Sequence, residues 1–288
     1  MIGEDGSLDS EIGCKSETDT QGEFLFQPRR DIKWIATAND RGYAEIAIDD
    51  FKRLPVIRLR PWGRISGVVR SGATPCTNQL VKLIRIGSLC PQFQPNQFTK
   101  LSDSEGHFIF ELVPPGQLMI GRIIQTQFSH GRVIDVASAQ NTDVLLGGNG
   151  RIVTGKIESA DGRQLDWEAG NHPAFLHFSL PPLNPPELAD AVSTNKWMRE
   201  YWDSSEGRGR QIFNVSYVFE FKSNNVFQAE NVPAGTYECE IHYHQPSPVA
   251  DQPDICLGIL KKEVTIPALP ADPDDTPVDL GKLIINLR

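Results

Sequence analysis

The sequence predicts an all-β protein, with sandwich modules in tandem and one short helical insertion in the last of them. Three observations predict it. The stretch Leu101–Ile120 reads as strand, turn, strand, turn, strand. The same stretch recurs along the chain. Elsewhere apolar residues alternate over short runs between glycine- and proline-bearing turns, the pattern of half-buried strands. Composition agrees, because 24 Gly and 21 Pro in 288 residues suit many short strands and tight connections.

In the central stretch, Asp103-Ser104-Glu105-Gly106 is a tight turn. The Asp carboxylate accepts from backbone amides just beyond it, and Gly takes a positive φ. Phe108, Phe110 and Leu112 then alternate with His107, Ile109 and Glu111, giving one apolar face. Val113-Pro114-Pro115-Gly116 ends the strand, and Leu118 and Ile120 begin the next. A shift of 119 residues lays Ser104–Phe108 on Ser223–Phe227, and Val113-Pro114-Pro115-Gly116 on Val232-Pro233-Ala234-Gly235, without a gap. Gly106 becomes Asn225, the residue that next best tolerates the left-handed region. A shift of 84 lays Thr18–Phe24 on the same turn, with Phe24 and Phe26 as its inward pair. Leu59–Val69 likewise resembles Leu146–Ile157, marking the end of one copy and the first strand of the next. The simplest account is three copies of one unit.

Residues 1–60 are expected to form an incomplete module. Ile32–Ala36, Ala44–Ile48 and Val56–Leu59 are its strands, with a turn at Asp40–Tyr43. The missing opening strand implies a first copy that is cut short, or a gene model that starts late. Residues 61–147 give the most complete unit. Its strands are Ile65–Arg70, Leu80–Ile84, the pair around the central turn, Gly131–Val136 and Asp143–Leu146, with a Pro- and Gln-rich loop at Cys90–Asn96. Residues 148–288 repeat the plan with an insertion at about 181–206. Gly67 lies 39 positions before Gly106, whereas Gly155 lies 70 before Asn225. The extra length holds Pro181–Pro186 and a helix over Glu187–Trp202 that starts at Pro186. Trp197 and Tyr201 fall four apart on one side of that helix, opposite Leu188, Ala191, Val192, Met198 and Trp202. An acidic, Pro-rich loop at 270–277 precedes a last strand, Leu283–Leu287.

These motifs resemble the carboxypeptidase regulatory-like domains, prealbumin-like Greek-key sandwiches. The resemblance rests on Gly67-Val68-Val69, Ser102–Phe108 and Val113-Pro114-Pro115-Gly116-Gln117-Leu118. It rests equally on Gly155-Lys156-Ile157, Phe227 and Val232-Pro233-Ala234-Gly235-Thr236-Tyr237. Copy one carries only Thr18–Phe24, and copy three departs at Asn224-Asn225. The resemblance implies a noncatalytic structural or binding module of a bacterial cell-envelope or secreted protein, extracytoplasmic, with a protein or polysaccharide as partner. It implies no cofactor and no catalytic residue, since the motif residues are turn and core residues.

The remaining signals bound the function. A net charge of −9 argues against binding nucleic acid or anionic membranes. No apolar run is long enough to span a bilayer. The acidic start MIGEDGSLDSEIG has no signal core, so either the protein is cytosolic or the chain has lost its export signal. Five Cys without a CxxC spacing disfavour zinc ribbons and thioredoxin-like sites. Cys239 shares an inward face with Tyr237, Ile241 and Tyr243, and Cys76 and Cys90 are candidates to bridge in an oxidising compartment. The binding candidates are Trp197 and Tyr201, as exposed aromatics, and His242 and His244, whose alternation puts both imidazoles on one strand face. Asp251, Asp254 or Cys256 would complete a metal site there, against the plainer expectation of two solvated His and no metal. An enzymatic alternative would gather His172, His177, His242 and His244 in one cleft. A further alternative is an accessory part of a larger enzyme.

Overall fold

The computed structural model describes residues 16–25, 34–85, 99–169, 171–178, 183, 186–187, 190–213, 215–249, 252–268 and 276–288. Phe26, Ile32, the Cys90–Asn96 loop, Leu188, Pro181-Pro182 and Pro270 lie outside these residues, so the expectations placed on them are not addressed. The protein is all-β with a helical insertion, as expected.

Residues 16–60 contribute one hairpin. β1 (Trp34–Asn39) pairs antiparallel with β2 (Gly42–Ala47). Asn39 Oδ1 closes their two-residue loop by accepting from the Arg41 and Gly42 amides. The run after β2 is the helix α1 (Ile48–Arg53), with Asp49 and Asp50 in its first turn and Lys52 and Arg53 in its last, matching the helix dipole. Val56–Leu59, expected as a strand, is irregular, because α1 and Pro55 take up the chain before it. Only Arg60 reaches β2, bridging to Tyr43.

The second unit comprises β3 (Gly63–Ser71), β4 (Thr74–Pro75), β5 (Leu80–Arg85), β6 (Thr99–Leu101), β7 (His107–Val113), β8 (Gly116–Ile124), β9 (Gln127–Val136) and β10 (Asn141–Gly147). In one sheet β3 is central, with β7 antiparallel on one side and β10 parallel on the other. The facing sheet runs β6-β5-β8-β9. Ile65, Val69, Leu83, Phe108, Phe110, Leu118, Ile120 and Leu146 fill the space between them.

The third unit comprises β11 (Arg151–Ser159), β12 (Ala174–His177), α2 (Ala191–Asp203), α3 (Ser205–Phe213), β13 (Ser216–Val218), β14 (Glu220–Phe221), β15 (Val226–Val232), β16 (Gly235–Gln245), β17 (Ile255–Ile266) and β18 (Val278–Ile285). β11 is central between β15, antiparallel, and β18, parallel. The facing sheet runs β13-β12-β16-β17. β12, β13 and β17 come without a sequence expectation. The last strand starts earlier than expected, at Val278. The helix starts later, at Ala191, because the Asp190 carboxylate caps the Ser193 amide at 2.7 Å.

Two details explain the repeated motifs. The opening glycines Gly67 and Gly155 lie under the rings of Phe108 and Phe227, where any Cβ would collide with the ring. The G-x-V strand and the G-x-F turn are therefore two halves of one contact. In both units the strand after the turn also carries a bulge, with residues 111–112 opposing Arg64 and residues 230–231 opposing Ile152. The extra residue turns Val113 and Val232 inward, both fully buried. It also sends Leu112 and Asn231 toward the preceding unit.

Candidate functional site

Among the described residues, polar side chains gather at the junction between the sandwiches and on the outer face of the β12-β16-β17 sheet, among other places.

At the junction, Asn231 adopts φ 51° within its bulge and is buried. Its Oδ1 accepts from the Gly72 amide at 3.1 Å and the Gly148 amide at 2.9 Å, and its Nδ2 donates to Arg70 O at 3.1 Å. Beside it, His130 sits at φ 58° in a second bulge, between β8 and β9. Its Nε2 lies 2.6 Å from Glu230 O. A carbonyl only accepts, so Nε2 carries the proton and Nδ1 accepts from the Ser129 hydroxyl at 2.8 Å. Ser129 Oγ in turn accepts from the Val218 amide at 3.0 Å. Burial first, then the Arg122 guanidinium, pull the His130 imidazole down to about 4. Arg122 donates to Gln79 Oε1 at 2.8 and 3.1 Å and approaches Glu230 at 3.9 Å.

On the outer face, strand alternation places Glu238, Glu240, His242 and His244 of β16 on one side, while Tyr237, Cys239 and Ile241 go into the core. Cys239 is buried as expected, its thiol pushed up to about 12 by burial. His177 of β12 lies beside Glu238. Its Nδ1 is 3.1 Å from Phe178 O, and its Nε2 is 3.3 Å from both Glu238 Oε1 and Glu240 Oε2. Lys261 Nζ, from β17, reaches Glu240 at 2.8 Å and Glu238 at 3.4 Å. Glu240 Oε1 is also 2.6 Å from His242 Nε2. Burial pushes the Glu240 carboxyl up, but hydrogen bonds from Lys261 and His242 outweigh it and hold it down at about 2.

The His242 and His244 rings lie 5.9 Å apart. Cys256 joins them, so that ring nitrogens and thiol lie within 4.8 Å of one another. A second set, His177, Glu238 and Glu240, meets the same measure. Of the other suggested partners, Asp254 accepts from the Asn171 amide at 2.9 Å in a loop, and Asp251 lies outside the described residues. His172 is committed elsewhere. Its Nε2 is 2.9 Å from Ala169 O, its Nδ1 accepts from the His244 amide at 3.1 Å, and its ring stacks on Tyr243. The four His expected in one cleft are therefore three on an open sheet face and one tied to backbone beneath it. Glu238, Glu240 and Lys261 went unremarked in the sequence, although the alternation E-x-E-x-H-x-H was there to be read.

In α2, Trp197 stacks on Tyr201 with ring centroids 5.2 Å apart, and both are half-buried. Tyr201 also meets Trp202 edge-on. Gly207 lets α3 pass close over Tyr201 O, where a Cβ would clash. The Ser193 hydroxyl donates to Asp190 Oδ2 at 3.2 Å within the helix cap. Cys76 is half-buried, 4.0 Å from Arg122 Nη2, and its suggested partner Cys90 lies outside the described residues. No described helix is long and apolar enough to cross a membrane.

No family model and no curated protein matches the chain. Among solved structures, it is similar to GBS52, the minor pilin of Streptococcus agalactiae, at 10% identity over 78% of this chain and 96% of that one, with a TM-score of 0.29. It is similar to the major pilin SpaD from Corynebacterium diphtheriae at 10% identity over 73% and 66% of the two chains, with a TM-score of 0.24. It is also similar to a DUF3823 family protein from Bacteroides uniformis at 15% identity over 72% and 100%, with a TM-score of 0.25. Likeness at these scores carries no weight, so the fold stands on the strand pairings themselves.

Proposed function

We propose that the chain is a noncatalytic structural or binding part of a bacterial cell-envelope or secreted protein. In this reading 61–147 and 148–288 are its complete modules and 1–60 an incomplete one, related to the carboxypeptidase regulatory-like domains through the glycine, phenylalanine and V-P-x-G motifs. The extracytoplasmic placement rests on that relation alone.

The observation that carries the structural role is the junction. Asn231 spends its amide on two backbone groups of the neighbouring sandwich, Gly72 N and Arg70 O, and on Gly148 N of the link between them, and His130 spends one ring nitrogen on Glu230 O. Buried polar groups are tolerated only where the geometry satisfies them. Such a junction holds its two sandwiches in one mutual orientation, as a spacer requires. The stacked Trp197 and Tyr201 are where a protein or polysaccharide partner would make contact.

Small-angle scattering on the full chain tests the spacer role. The wild type is expected to fit one rigid arrangement, and Asn231→Ala to broaden the distance distribution. A wild type already as broad as the variant would remove the role.

A further inference from the structure

We propose that His242, His244 and Cys256 form a binding site for a divalent late-transition metal ion of the zinc class. This goes beyond the structural reading and does not depend on it.

The site is assembled by backbone. His242 and His244 share a face because they are two apart on β16. Cys256 is there because β17 carries a bulge. Tyr243 pairs with Gly258, but His244 pairs with Cys256, so Leu257 is an extra residue. In an unbroken ladder Cys256 would have the parity of Gly258 and Leu260, which face inward opposite Tyr243 and Ile241. The bulge reverses that parity and puts the thiol with the imidazoles. Bulges commonly re-aim one side chain at a site, and here the re-aimed residue is the softest ligand of the three.

The chemistry of the set is that of zinc. Two imidazoles and a thiolate suit zinc or copper and not calcium or magnesium. Ligand bonds of about 2.0–2.3 Å in a tetrahedron put ligand atoms roughly 3.3–3.8 Å apart. The present atoms lie within 4.8 Å, so side-chain adjustments of about 1 Å close the site. A water fills the fourth position. Cys256 is exposed, which gives the ion a path from solvent. On binding, the thiol proton is released to bulk water and the sulfur bonds the metal as thiolate. Glu240 supports the site as a positioning residue. A carboxylate on one ring nitrogen of His242 leaves the other as the basic atom, the arrangement that orients a ligand imidazole.

The neighbouring set makes a useful contrast. His177, Glu238 and Glu240 also converge, but Lys261 already supplies a cation between the two carboxylates. The site with the thiol offers in addition a soft sulfur ligand, which this set lacks.

The test is titration of the full-length, reduced chain with Co2+, followed by displacement with Zn2+. The expected result is one Co2+ per chain, with the thiolate-to-cobalt absorption and intense visible bands of a tetrahedral site. Cys256→Ser should lose the thiolate band and bind at least tenfold more weakly, and His242→Ala and His244→Ala should each weaken binding at least tenfold. Glu240→Gln should cost roughly tenfold while keeping the spectrum, and Glu238→Gln should change nothing. Circular dichroism and urea midpoints confirm that the variants fold. Absence of Co2+ binding up to about 1 mM, well above the range of zinc sites, overturns the proposal. So does binding that Glu238→Gln abolishes and Cys256→Ser leaves intact.

Discussion

The sandwich of residues 63–147 and that of residues 151–285 share one strand plan but build its central turn differently. In the first, Asp103 Oδ1 accepts from the Glu105 and His107 amides at 2.9 and 2.8 Å, and Gly106 takes φ 79°. Asp19 repeats that arrangement in the first segment, accepting from Gln21 and Glu23 at 2.8 and 2.9 Å. In the second sandwich the matching position is Lys222, which has no carboxylate to offer. A short 3-10 turn replaces the Asp loop, with Asn224 and Asn225 both at φ 61°. The strands on either side still pair alike, β7 on β3 and β15 on β11, with the bulge at the same place. Turn chemistry is thus replaceable in this fold. The phenylalanine lying on the opening glycine is not, because it occupies the centre of each core.

Four experiments sharpen or break that comparison. The largest effect belongs to the shared feature. Phe108→Ala and Phe227→Ala should each cost about 3–5 kcal/mol in urea unfolding, since both rings are buried. Similar costs in the two sandwiches are expected, and a small cost in either would break the equivalence.

Next comes the junction, where only the first sandwich contributes a titrating imidazole. His130 is held at about 4, whereas an unfolded imidazole titrates near 6.5. Unfolding therefore takes up a proton between those values. The contribution of His130 is complete above about pH 6.5 and is lost as pH falls toward 4, by about 3 kcal/mol in all. His130→Asn tolerates the positive φ and should flatten this part of the pH–stability curve. An unchanged slope would place the proton uptake elsewhere.

Asn231→Ala leaves an amide and a carbonyl of the other sandwich, and the Gly148 amide of the link, without their partner, and should cost about 1–3 kcal/mol. Asn231→Gly, which keeps the positive φ without strain, separates lost bonds from backbone cost. Differential scanning calorimetry should then resolve two transitions where the wild type gives one.

The smallest effect distinguishes the turns. Asp103→Ala should lower the urea midpoint, and Lys222→Ala should leave it nearly unchanged. Hydrogen bonds from the backbone at His107 and Glu105 hold the Asp103 carboxyl below the usual range. Its stabilising contribution is therefore present above the ordinary carboxyl value near 4 and lost as pH falls through the depressed one. The difference between wild type and Asp103→Ala should vanish in the same window.

Much of the fold was legible because it lives in local pattern. Phe108, Phe110, Tyr237, Cys239 and Ile241 declare their face by alternation, and Gly106 and Asn225 declare turns by what their backbones tolerate. The helix was legible as an amphipathic run but was placed too early, because Asp190 with Ser193 outcompetes Pro186 as its start. Val56–Leu59 looked like a strand by composition but has only the Arg60 bridge to pair with. The site was half legible. His242 and His244 follow from alternation, whereas the nearness of Cys256 depends on Leu257 slipping out of the ladder.

By itself the sequence determined the class of fold and the inward face of most strands, since period, turn preference and burial act within a few residues of one another. Tertiary structure alone decided where each strand breaks step. Every bulge is set by how two strands pair and not by either strand alone, and that one-residue slip aims His130 and Asn231 across the junction and Cys256 at the two histidines.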